Sequence, residues 1–130
     1  MSSIFTKIIH GEMPCHKLIE DDQFFSFLDI RPINPGHALV IPKKATDYFF
    51  DLEDDLLAGI MGFAKPIAKA IEKVVPCERV GLMVAGLEVP HAHIHLVPFR
   101  SISELSFAHT KPAKNEDLAS LAEQIRTYLL

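Results

Sequence analysis

The stretch His91-Ala92-His93-Ile94-His95-Leu96-Val97 decides how the rest of the chain is read. Its alternation has the period of a β-strand with two unlike faces. Ala92, Ile94 and Leu96 turn into a core, and His91, His93 and His95 share the opposite face. Successive imidazoles are then expected roughly 6.6 Å apart along the strand. Seven of the 130 residues are histidine, and a chance His-x-His-x-His is expected only ~0.02 times at that composition. A merely solvated face is therefore a poor explanation. Two chemical readings remain. His-x-His is a two-ligand clamp for zinc, with His37, Cys77, Glu88 and Asp29 as candidates to complete it. Imidazole can also attack phosphorus, or donate protons to phosphate oxygens when charged. The residues alone do not say which of the three histidines attacks.

Working outward, His91 to Phe99 reads as a strand, and Arg79 to Ala85 as the one before it. Cys15 to Glu20, Gln23 to Ile30 and His37 to Ile41 are further strands, separated by Asp21-Asp22 and by Arg31-Pro32-Ile33-Asn34-Pro35-Gly36. Ser3 caps a short helix that Gly11 stops. Asp51 to Val75 carries a helical stripe of Leu52, Leu56, Ile60, Ala64, Ile67, Ala68 and Ile71. Pro66 lies inside that stripe and predicts a kink or a fresh start. Ser101 to Lys114 is polar and irregular. Asn115 to Leu129 is an amphipathic helix with Leu118, Leu121, Ala122, Ile125 and Leu129 on one side. Short turns between early strands favour an α+β fold: an antiparallel sheet of about five strands with a long helix and a C-terminal helix packed on it.

Composition bounds the rest. The 130 residues suit a single domain, residues 1–130, and 48% hydrophobic with 23% charged residues argues against disorder. A net charge of -4 excludes a globally basic nucleic-acid binder. No apolar run approaches the length of a membrane-spanning helix. The stretch from Met1 to Lys7 lacks the features of a signal peptide. Two cysteines, Cys15 and Cys77, are too few for a disulfide framework. A cytoplasmic protein is expected, without nucleic-acid or membrane partners.

The triad stretch resembles the motif of the histidine triad (HIT) family. The resemblance extends in order through Ile4-Phe5-x-Lys7-Ile8-Ile9-x-Gly11-Glu12-x-Pro14, Glu20-Asp21-Asp22, Phe27-x-Asp29-Ile30, Pro35-Gly36-His37-x-Leu39-Val40-Ile41-Pro42-Lys43-Lys44 and Val89-Pro90. It is nearest to the Hint-like branch of nucleotide hydrolases and transferases. It implies a homodimer with one continuous sheet, a purine nucleotide substrate, and chemistry at the α-phosphorus that needs no cofactor and no metal. By resemblance, His93 is the nucleophile, His91 orients it, His95 contacts phosphate oxygens, and His37 is a fourth histidine nearby. Asp29 matches the residue that holds the ribose hydroxyls; Phe5, Ile8, Phe27, Leu28 and Ile30 match the base pocket.

The sequence departs from the family at three places. Glu88 stands where many members have a hydroxyl residue that protonates the leaving group. Its carboxyl group is a candidate general acid, or a source of repulsion toward phosphate. The connection Gly86 to Pro90 is short, and Ala85 replaces an asparagine. Ser3, Thr6 and Ala45 occupy positions that hold two cysteines and a histidine in zinc-binding members, which predicts no structural zinc. The expected activity is release of a nucleoside monophosphate from a phosphoramidate or adenylated compound. A dinucleoside polyphosphate hydrolase, a nucleotide-binding regulator and a zinc-dependent enzyme are the alternatives.

Overall fold

The computed structural model describes residues 3–129; Met1 and Ser2, which open the stretch read as lacking a signal peptide, and Leu130 lie outside the described residues. The chain begins with helix α1 (Ile4–Ile9), whose N-terminus is capped by the Ser3 side chain accepting from the Thr6 amide. Strands β1 (Lys17–Glu20), β2 (Phe24–Leu28) and β3 (Ala38–Pro42) follow, then helix α2 (Asp54–Val74). Strands β4 (Arg79–Met83) and β5 (Ile94–Phe99) precede two short 3₁₀ turns and helix α3 (Asn115–Arg126). The five strands form one antiparallel sheet in the order β1-β2-β3-β5-β4.

The sheet is covered unequally. Phe24, Leu28, Ala38, Val40, Ile94 and Leu96 face α2 and α3 and pack with Ile60, Ile67, Ile71, Leu118 and Ile125 in the main core. On the other face, Phe25, Phe27, Leu39 and Ile41 meet the short α1 through Phe5 and Ile8, with Met13, Cys15 and Val89 packed beside them. Period-two alternation sorts β2 and β3 between the two clusters. Phe27 pairs with Leu39, Leu39 with His95, and His95 with Met83. That row crosses the less covered face and forms the floor of a site.

Three local expectations are corrected. The strand read as starting at His91 begins at Ile94, so His91 and His93 precede the ladder and His95 alone of the three lies in it. Helix α2 runs through Pro66 as one element. Pro66 and Gly62, whose carbonyl loses its partner, both lie on the exposed side, where water replaces the missing bond. Ala70, rather than Ala68, completes the buried stripe with Ile67 and Ile71. No helix among the described residues is long and apolar enough to cross a membrane.

Candidate active site

Four histidines come together at the β3–β5 seam, and all are buried: His37, His91, His93 and His95. Gly36 sets up the first. Its φ of +95° is a conformation open to glycine, and a Cβ there would come within 2.8 Å of Val75. The turn it closes delivers His37 to the start of β3. There the Ile33 amide donates to His37 Nδ1 at 2.9 Å.

That bond sets the protons of the neighbouring rings. A backbone amide can only donate, so His37 Nδ1 is bare, and in the neutral ring the proton sits on Nε2. His37 Nε2 is 2.9 Å from His95 Nδ1. It therefore donates, and the remaining His95 proton sits on its own Nε2. The second pair is set by carbonyls. His93 Nδ1 lies 2.6 Å from the His91 carbonyl and must carry a proton. Its Nε2 is left with a lone pair. His91 Nε2 donates to the Pro42 carbonyl at 2.7 Å, and its Nδ1 accepts from the Ser3 hydroxyl at 3.0 Å.

Burial pushes all four rings toward their neutral forms. His37 is lowered to about 4 by desolvation. His95 is lowered to about 3, by desolvation first and then by charge on His93 and His37. His91 and His93 are also lowered, chiefly by desolvation, against the opposing effect of their carbonyl partners. Neutral rings are what the tautomer assignment requires.

The rings also touch aromatic edges. Phe5 meets His93 at 5.0 Å and His91 at 5.8 Å between ring centroids. His93 and His95 are 4.9 Å apart, and Phe107 from the second 3₁₀ turn lies 4.8 Å from His95. The expected spacing of roughly 6.6 Å between histidines applied to residues along a regular strand. His93 precedes the ladder and leans on Phe5, and its ring lies nearer to His95.

A cavity of about 230 Å³ opens beside His93 and His95. Phe5, Ile8, Phe27 and Ile30 line it, with Asp29 and Glu88. Leu28 borders it too, although its side chain packs in the core beneath α2. Ile4, Met13, Cys15, Leu39 and Val89 also contribute walls. Asp29 divides its oxygens: Oδ1 accepts from the Arg31 amide at 2.8 Å, and Oδ2 lies 3.6 Å from His37 Nε2. Turn capping and pocket lining are thus combined in one residue. Burial raises the Asp29 pKa, as does the charge of Glu88, against the Arg31 amide and guanidinium.

The HIT domain family model matches residues 10–102. The chain belongs to the HIT family. It is 36% identical to an adenosine 5'-monophosphoramidase of Schizosaccharomyces pombe over 96% of each chain. Among solved structures it superimposes on a HIT-like protein of Bartonella henselae with a TM-score of 0.86, at 31% identity, covering 98% of this chain and 96% of that one. A zinc-bound HIT protein of Mycobacterium smegmatis gives a TM-score of 0.85 at 30% identity, covering 99% and 94%.

Within this HIT chain, His91 meets His93 at Nδ1, the ring nitrogen turned away from the cavity in the assigned tautomer. Its backbone carbonyl holds His93 Nδ1, while its ring is occupied elsewhere. Ser3 and Thr6, at the positions matched to zinc-binding cysteines, both direct hydroxyls at His91 Nδ1, at 3.0 and 3.5 Å. Asp29, His37 and His95 are close enough to share a cation. Both His37 nitrogens are already hydrogen-bonded there, so a metal would have to displace the proton between the two rings. Cys77 and Glu88 do not join that group, and neither do His91 and His93. The sequence reading missed Ser3 as a partner of His91 and missed Phe107. Ser3 was legible only as a helix cap, and Phe107 sits in a segment without periodicity.

The lowered pKa values link stability to pH. An unfolded His37 takes a proton near 6.5, whereas the folded one resists until about 4. Its contribution is full above 6.5 and is lost as pH falls through that window, on the order of 3 kcal/mol in total. Urea unfolding from pH 7 to pH 4 should show falling stability, with a shallower fall in His37→Gln. An equal slope in both proteins would contradict the buried neutral ring.

Proposed function

We propose that the protein releases a nucleoside monophosphate from a purine nucleoside phosphoramidate through a nucleotidyl-histidine intermediate on His93. The Schizosaccharomyces pombe relative is named for such an activity, and the protein is a hydrolase of the HIT family. One observation carries the mechanism: His93 alone has an Nε2 lone pair beside the cavity while its Nδ1 proton is tied to a backbone carbonyl. The lowered His93 pKa keeps that lone pair available below the ordinary histidine value.

In this reading the base lies against Phe5, Ile8, Phe27 and Ile30, and Asp29 Oδ2 accepts from the ribose. His93 Nε2 attacks the α-phosphorus. As that bond forms, the bond to the leaving nitrogen breaks, and the nitrogen keeps the electron pair and takes a proton from solvent water, leaving as the neutral amine. The His95 Nε2 proton faces the phosphoryl oxygens, where charge develops. A water oxygen then bonds to phosphorus and loses a proton to solvent, while the phosphorus–histidine bond breaks, its electron pair returns to His93 Nε2 and the nucleotide is freed. His37 holds His95 in the donating tautomer. The leaving nitrogen departs on the side of Glu88.

The protein acts as a homodimer in the cytoplasm, needs no cofactor, and has no nucleic-acid or membrane partner in this reading. Strand β4 is an edge strand, and Leu82, Val84, Leu87, Tyr48 and Phe50 are exposed on or near it. A second copy pairing there removes both an open edge and an apolar patch from water.

Replacing His93 by Ala should lower kcat/KM for an adenosine phosphoramidate by at least about a thousandfold. Rapidly quenched wild-type enzyme should give a nucleotidyl adduct on the His93 peptide. Undiminished turnover in the variant would refute the assignment. Sedimentation should give a dimer, shifted toward monomer by Val84→Asp; a monomeric wild type would refute the β4 interface.

A further inference from the structure

We propose that Glu88 and Phe107 form a leaving-group subsite that selects substrates whose departing amine carries a further positive charge. The proposal rests on the phosphoramidase reading and specifies its substrate class. Two cavities meet at His93 and His95. The larger is apolar and has Asp29 at its wall. The smaller, of about 120 Å³, is lined by Ala85, Gly86, Leu87, Glu88 and Phe107 in addition to the two histidines. If the nucleoside fills the apolar cavity, a group displaced from phosphorus by His93 has the smaller one beside it.

The lining of that smaller cavity has a definite charge preference. It includes one acidic side chain and no lysine or arginine, and the larger cavity likewise has no lysine or arginine among the described residues that line it. A polyphosphate or other anionic leaving group finds no counter-ion there and meets Glu88. An ammonium group finds a carboxylate on one wall. On another wall is a phenyl ring, a group whose π-system attracts cations. Phe107 packs T-shaped against His95, 4.8 Å between centroids. The volume suits a short alkyl chain. Glu88 is exposed at the mouth of both cavities, so it can meet a charged chain end that remains partly in water. Its charge also acts on Asp29 and on His93, which places it within electrostatic reach of both ends of the site.

Three adenosine phosphoramidates of equal chain length test this, with the alkylamine ending in an ammonium, a methyl or a carboxylate group. Dissociation constants are measured on His93→Ala protein, where no turnover intervenes, and kcat/KM on the native enzyme. The ammonium compound should bind at least about tenfold tighter than the carboxylate compound. Adding Glu88→Gln should bring that ratio close to one, and Glu88→Lys should invert it. Phe107→Leu should reduce the advantage of ammonium over methyl while keeping the penalty on carboxylate. A ratio near one in the protein with Glu88 intact, or a ratio unchanged by Glu88→Lys, would overturn the subsite. Absence of turnover with all three compounds would refute the phosphoramidase reading, and the binding ratios would still decide the subsite.

Discussion

A single backbone amide sets the state of half the site. The Ile33 N–H points at His37 Nδ1, and from that contact the protons on His37 and His95 are assigned in turn. The turn that makes the contact depends on Gly36, whose positive φ and close packing against Val75 leave no room for a side chain. On the other side, the carbonyls of Pro42 and His91 assign His91 and His93. Backbone groups cannot exchange donor and acceptor roles, so they hold imidazoles in one tautomer more reliably than other side chains can. Burying four rings as neutral species is tolerable because each has a defined hydrogen-bond partner.

The sheet makes this arrangement available. Its α2–α3 face carries most of the apolar burial, which frees the other face for Phe27, Leu39 and His95 in register. The short α1 covers only part of that face. Phe5 therefore serves twice, closing a small core with Phe27 at 5.6 Å and bracing His93 at 5.0 Å. Stability and chemistry share residues here, so substitutions in α1 are expected to affect both.

Much of this was legible in the sequence, for physical reasons that can be named. Alternation placed Ala92, Ile94 and Leu96 in the core, and the i, i+3, i+4 pattern found α2 and α3. The residues of the HIT resemblance brought His37 into the group although it lies 54 positions before His91. What was not legible depends on backbone geometry. Periodicity cannot reveal that the ladder starts at Ile94, or that the His91 carbonyl rather than its ring holds His93. Phe107 escaped because a 3₁₀ turn has no repeating face to recognise. Ser3 was recognised through its local bond to Thr6, while its contact with His91 spans 88 residues.

The claim on which the account rests is that His93 presents an unprotonated Nε2 at neutral pH while His95 presents a protonated one. Nitrogen-15 NMR of the imidazoles at pH 7 reads this directly. The account predicts the Nδ1–H form for His93 and the Nε2–H form for His37, His91 and His95. A His93 ring that carries its proton on Nε2, or is doubly protonated at that pH, would contradict it.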